Sequence, residues 1–223
     1  MRRTFALVFF FCLIWHKVYA QQTVFNVPSQ DALQSKHIYV EIASSIMLRS
    51  PAYFTMTPKI VLGLGYGFEG GARLPFYLSS GDSRGSRTVV SAKHVDFLGD
   101  STWRFIESAD GYLPLSHGKN LGLLACLQGA KEFPNLFRIS GGIYAAMKEV
   151  TGTKNEFGTM ASLEIPIQKF VIAADNYSGE NELSAISFGI IGNVSPNFKV
   201  KVAYQYLRFS TSDNLLMAVG YQF

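Results

Sequence analysis

The residue types that do chemistry are few in this chain, and their spacing decides what they can do. Beyond the first twenty residues the histidines are His37, His94 and His117, and only His117 has a nucleophile beside it, Ser116, with Asp110 the nearest preceding carboxylate. A nucleophilic serine needs a base at hydrogen-bond distance that is itself oriented by a third group. Neighbours on one loop do not face each other in that way, so no catalytic residue is expected. His37 and Glu41 would meet on a helix, but on a strand four residues span about 13 Å, too far to share one metal ion. The run Gly63-Leu64-Gly65-Tyr66-Gly67 lacks the lysine and the following helix pattern of a phosphate loop. Glycines there serve a curved strand. Cys126, set among Leu123, Leu124 and Leu127, reads as an inert packed thiol. No metal and no cofactor is expected.

What remains is a set of charges at alternating positions: Glu41, Glu69, Arg73, Arg104, Arg138, Glu164, Asp175, Lys199 and Lys201. Each falls on the small or polar side of a segment whose other side is apolar. In residues 198–209, Phe198, Val200, Val202, Tyr204 and Tyr206 share one face, and Lys199, Lys201, Ala203 and Gln205 the other. Period two is the signature of a strand whose faces meet different surroundings. Two lysines within three residues would be costly in a dry sandwich core, whereas a wet lumen accepts them. The pattern recurs through the chain: Ile38, Val40 and Ile42 oppose Tyr39 and Glu41, Leu121, Leu123 and Leu127 oppose Gly122, Cys126 and Gln128, and Ile186, Phe188 and Ile190 oppose Ser187 and Gly189. Two segments are less regular, 87–97, where Lys93 and His94 disturb both parities, and 102–108. The total is about twelve strands, within a range of 10–14, an even number being usual for single-chain bacterial barrels.

The chain ends on the same pattern. Leu215, Met217, Val219, Tyr221 and Phe223 alternate with Leu216, Ala218, Gly220 and Gln222, and Phe223 is the last residue. This ending resembles the terminal strand of Gram-negative outer-membrane β-barrel proteins, small porin-like members included. The resemblance implies that these five residues form an assembly signal read by the barrel-assembly machinery, and that outer-membrane lipid surrounds the fold. The fold class expected is all-β, a closed antiparallel transmembrane β-barrel over residues 37–223.

The other end agrees on the compartment. Arg2 and Arg3, an apolar run from Phe5 to Trp15, and Val18-Tyr19-Ala20 before Gln21 have the form of a signal peptide over residues 1–20. Cys12 lacks the preceding small residue of a lipidated cysteine. Residues 21–36 are expected to be a periplasmic lead-in. Removing Arg2, Arg3 and Lys17 from the 20 basic residues leaves 17 against 16 acidic ones, so the formal net charge falls from +4 to +1. With no basic stripe left, nucleic acid is excluded as a partner.

Connections alternate in length. Those at 66–68, 98–101, 130–135, 166–168 and 193–196 are short. Those at 48–57, 78–86, 110–119, 149–155 and 178–183 are longer, and only 210–212 breaks the rule. Short periplasmic turns and long outer loops are what such barrels have. The function expected is a passive pore for small solutes or a structural envelope protein, with the nine inward charges lining the bore. The competing classes are a soluble, exported lipocalin-like barrel binding a small ligand, and a barrel-embedded lipid hydrolase. The same charges could instead pair across a narrow interior and plug it, and the pattern sets neither which of the two holds, nor the exact strand number, a solute or an oligomeric state.

Overall fold

The computed structural model describes residues 23–48, 54–78, 87–99, 102–115, 120–210 and 212–223. The expected signal peptide, Cys12, Gln21, Ser116 and His117 lie outside them. The strands are β1 (Ile38–Met47), β2 (Phe54–Gly65), β3 (Phe68–Arg73), β4 (Phe76–Leu78), β5 (Arg87–Leu98), β6 (Trp103–Pro114), β7 (Gly122–Phe133), β8 (Phe137–Ala146), β9 (Glu156–Ile167), β10 (Phe170–Tyr177), β11 (Ala185–Ser195), β12 (Phe198–Leu207) and β13 (Ser212–Gln222). A single helical turn, α1 (Lys148–Thr151), stands between β8 and β9.

These thirteen segments make twelve staves. β3 and β4 pair with β2 in one continuous register, Lys59 opposite Arg73 and Met56 opposite Phe76. Pro75, between them, has no N–H to give the ladder, so the strand lapses there and resumes. Every neighbour is antiparallel, and β1 pairs with both β2 and β13. Around the ring each stave has a partner stave on both sides, the condition under which β structure is tolerated in lipid. Phe223 and Ile38 exchange backbone hydrogen bonds, which places both ends of the barrel on one rim, here the terminal rim.

The hairpins at that rim are tight. Tyr66 and Gly67 both have positive φ, 52° and 79°, the backbone of a two-residue turn that matches strand twist. Gly67 is also fixed by space, since a Cβ there would lie 2.2 Å from the Val95 carbonyl oxygen.

Side chains sort by parity as the alternation predicts. Ile42, Leu62, Leu123, Ile143, Phe188, Val202 and Val219 stay exposed on the outside, while Glu41, Glu69, Lys93, Glu164, Lys199 and Lys201 are buried within. Leu215, Met217, Val219, Tyr221 and Phe223, the positions expected to carry an assembly signal, lie on the outer face of β13 and its end. Trp103, Tyr221 and Phe223 stand at the terminal rim, where Tyr221 and Phe223 meet edge to face with centroids 4.7 Å apart.

Two sequence expectations require correction. The connection read as 110–119 is shorter, because β6 runs on to Pro114 and carries Asp110 into the barrel wall. The irregular segment 87–97 is a regular strand, with Lys93 pointing in and His94 pointing out onto the ring of Phe68, 4.0 Å between centroids.

Candidate functional site: the occupied lumen

Eight staves leave room for side chains alone and sixteen leave an aqueous channel, so twelve leave a bore of intermediate width. The chain fills it with the residues that precede β1. The lead-in expected in the periplasm is corrected here: residues 23–36 run inside the barrel. Val24, Val27, Ser29 and Gln30 are each 0% exposed. The segment leaves β1 through a turn at Lys36, with φ of 68°, where the His37 N–H donates to the Gln34 carbonyl. It passes β2 at Gly63, where a Cβ would sit 1.9 Å from the Gln34 carbonyl oxygen. That close approach, and not strand curvature alone, explains a glycine at this inward position. Further in, the chain reverses over Val24 to Val27, closed by Val24 N–H to Val27 O at 2.9 Å.

Apolar contacts seat the reversal. Val24 and Phe25 pack with Val171, Ala173, Ile191 and Ala203. Val27 packs with Leu124, Cys126, Tyr144 and Tyr177, which places Cys126 in a buried cluster with its Sγ 3.6 Å from the Tyr177 hydroxyl.

Charge tethers it. Asp175 Oδ2 accepts three successive backbone N–H groups, from Phe25 at 2.9 Å, Asn26 at 2.6 Å and Val27 at 3.1 Å. Consecutive N–H groups converging on one oxygen form an anion nest. In the opposite sense, Asp31 receives Nη1 of Arg104 at 3.1 Å and Nη1 of Arg138 at 2.8 Å. The other ends of these guanidiniums are held by the wall: Arg138 Nη2 lies 2.6 Å from Glu164, and Arg104 Nη2 bonds Glu132. Burial pushes the Asp31 carboxyl up, but Arg138 and Arg104 outweigh it and hold the group below the usual carboxylate range. Lys93 donates to the carbonyls of Ser29 and Asp31, Lys201 to that of Thr23, and the Leu33 N–H donates to Glu69.

All nine sequence-predicted charges face the interior, and the structure joins them through residues the sequence reading passed over. Glu41 bridges Lys59 at 2.7 Å and Lys201 at 2.9 Å, Glu69 pairs with Lys93 at 2.9 Å, and Arg73 pairs with Asp110 at 2.8 Å. Lys199 is buried on the same face. Lys59 escaped notice because Pro58 beside it reads as a break, Lys93 because His94 follows it, and Asp110 because Gly111 made it look like a loop. Asp31 carried no strand pattern at all.

Beyond the segment, toward the rim opposite the termini, the bore opens into a cavity of about 370 Å³ bounded by Lys59, Arg73, Asp110, Tyr112 and the tip residues Phe25 and Asn26. A second space of about 390 Å³, under α1 and beside Arg87 and Glu182, shares Pro75, Val89 and Tyr112 with it.

A closed twelve-stave barrel with an apolar outside and a charged inside has known counterparts. Its fold is that of outer-membrane porins. The KdgM porin solved in complex with disordered oligogalacturonate superposes with a TM-score of 0.66 at 11% identity, over 83% of this chain and 99% of that one. The NanC porin gives 0.63 at 9% identity, over 82% and 98%. An outer membrane channel from Pseudomonas putida F1 gives 0.58 at 10% identity, over 87% and 98%. No protein-family model matches the chain, and no curated protein matches it by sequence. The porin-type barrel is therefore a likeness of fold, carried by a sequence of its own.

Proposed function

We propose that this chain is a bacterial outer-membrane channel that passes small solutes down their gradient, exported by a cleaved signal peptide and without catalytic activity. The observation that carries the reading is the inversion of polarity. The exterior is a continuous apolar surface that water would not tolerate, and the interior is a ladder of ion pairs beside open space. A soluble lipocalin-like carrier needs the reverse arrangement. The terminal rim is then periplasmic, and the cavity opens toward the cell exterior.

Membrane fractionation with heat-modifiable gel mobility tests the location, and conductance in a planar bilayer tests the activity. A freely soluble mature protein would overturn the proposal. The occupied bore favours one second reading, a structural envelope protein that never conducts. Absence of conductance in a folded barrel from which residues 22–35 have been deleted would select it.

A further inference from the structure

The seat of Asp31 is built from the wall and not from the segment that fills it. Arg104 and Arg138 each spend one guanidinium nitrogen on a wall carboxylate, Glu132 and Glu164 respectively, and each aims the other into the bore. The two free-facing Nη1 groups converge on one carboxylate, with Arg138 reaching both of its oxygens at 3.0 and 2.8 Å. Held rigid from behind, such a pair is a preorganised receptor for a carboxylate, whichever molecule supplies it.

We propose that Arg104 and Arg138 form the channel's binding site for a small carboxylate solute, and that Asp31 occupies it as a built-in stand-in, so that residues 23–36 are a displaceable plug. This rests on the channel reading above. A solute carboxylate entering from the outer cavity competes with Asp31 for the two guanidiniums. Once Asp31 is replaced, the segment keeps the Asp175 nest and its apolar contacts but loses its central ion pairs. The seating is already imperfect at the neighbouring residue: Gln30 is fully buried with neither side-chain amide atom hydrogen-bonded, a desolvation that opposes the seated state. Several of the remaining tethers, from Lys93, Gln128 and Lys201, run to backbone carbonyls of the segment, which water can satisfy equally well after release.

The test uses the full-length protein in planar bilayers, with potassium succinate replacing potassium chloride at constant ionic strength. Three variants accompany the wild type: deletion of residues 22–35, Asp31→Asn, and a lock. The lock is Asn26→Cys with Ser187→Cys in a Cys126→Ser background, chosen because Asn26 Nδ2 and Ser187 Oγ are 2.7 Å apart. Thiol titration confirms its oxidation. The expected result is low conductance for the wild type that rises several-fold with succinate, high conductance for the deletion and Asp31→Asn variants without succinate, and none for the oxidised lock until it is reduced. Equal conductance of wild type, deletion and oxidised lock would overturn the plug. A wild type that opens equally in chloride and succinate would overturn the carboxylate site. A deletion variant that folds yet never conducts would instead sink the channel reading, and the plug with it. Should the deletion fail to fold, Asp31→Asn and the lock decide between the same outcomes.

Discussion

Arg138 Nη1 lies 2.8 Å from Asp31 Oδ2 across a sequence separation of 107 residues, and this contact joins the beginning of the chain to the middle of the barrel wall. Its two sides are unequal. Removing Asp31 leaves Arg138 its wall partner Glu164, whereas removing Arg138 takes the buried Glu164 carboxylate's arginine away and leaves Asp31 with Arg104 alone. Breaking a buried pair by removing one partner costs about 3–5 kcal/mol. Arg138→Gln is therefore expected to lower the thermal unfolding temperature in detergent markedly, and Asp31→Asn to lower it much less while raising protease cleavage within residues 23–36. Equal loss from both would mean that the two ion pairs contribute alike.

The same carboxylate sets a pH dependence of definite sign. The Asp31 pKa is held below its ordinary 3.8 in the folded state, so its contribution is fully present above that value and is lost only as pH falls through the lower, folded one. The charges facing it are Arg104, Arg138 and Lys199, with Glu164 and Glu132 behind the arginines and Lys93 on its carbonyl. Between pH 5 and pH 8, a range taken as well above about 3.9 for a free aspartate, Asp31 gives no change in segment release. Protease accessibility of residues 23–36 should be flat there and rise in stronger acid, and Asp31→Asn should abolish the acid step that depends on this group. An acid step of undiminished size in that variant would place the titrating group elsewhere.

Gly63 offers a steric test that leaves the charges alone. A methyl group there collides with the Gln34 carbonyl, a backbone atom that cannot swing aside as a side chain would. Overpacking of this kind costs about 1–3 kcal/mol. Gly63→Ala is expected to push the segment out of register, seen as faster hydrogen exchange at Leu33 and Lys36, with the strand pairings retained.

The lysines of β12 bear on selectivity. Lys201 is tied to Glu41, so Lys201→Glu sets two carboxylates side by side and Lys199→Glu adds a third negative group on the same face. In the background lacking residues 22–35, the double variant should move the reversal potential in a salt gradient toward cations. An unchanged reversal potential would mean that ions pass along the opposite wall.

Phe223 closes the seam, since its backbone exchanges hydrogen bonds with Ile38 while its ring meets Tyr221. We propose that it also completes the assembly signal of β13. Deletion of Phe223 should reduce the fraction of protein with heat-modifiable mobility in membranes more than it alters conductance of the barrels that do assemble. Normal insertion would count against that role.

The barrel was legible in the sequence because alternation is a local property, written into each strand by neighbours two residues apart. Parity placed Glu41, Arg138 and Lys199 on the inner face without knowledge of any partner. The lead-in was not legible for the opposite reason. Val24, Asp31 and Leu33 have no period, and their burial depends on Val171, Arg138 and Glu69, residues brought near only by closure of the ring. Pairing was hidden in the same way: a charge on the inner face shows its direction in the sequence, but not which of the surrounding staves answers it.

The reversal at Val24 to Val27 also orders events in time. Its carboxylate, Asp175, lies on β10, about 150 residues downstream, and the other walls of its seat come from β11 and β12. Residues near the amino end of the chain are thus among the last to find their native neighbours. The seam between β1 and β13 must form with the segment already threaded into the ring or waiting at its lip, because β1 follows the segment directly. Long-range closure of this kind is slow, and for its duration the amino-terminal segment is a free strand-length peptide beside an open sheet edge, the period in which a chaperone or a protease has its one clear view of it.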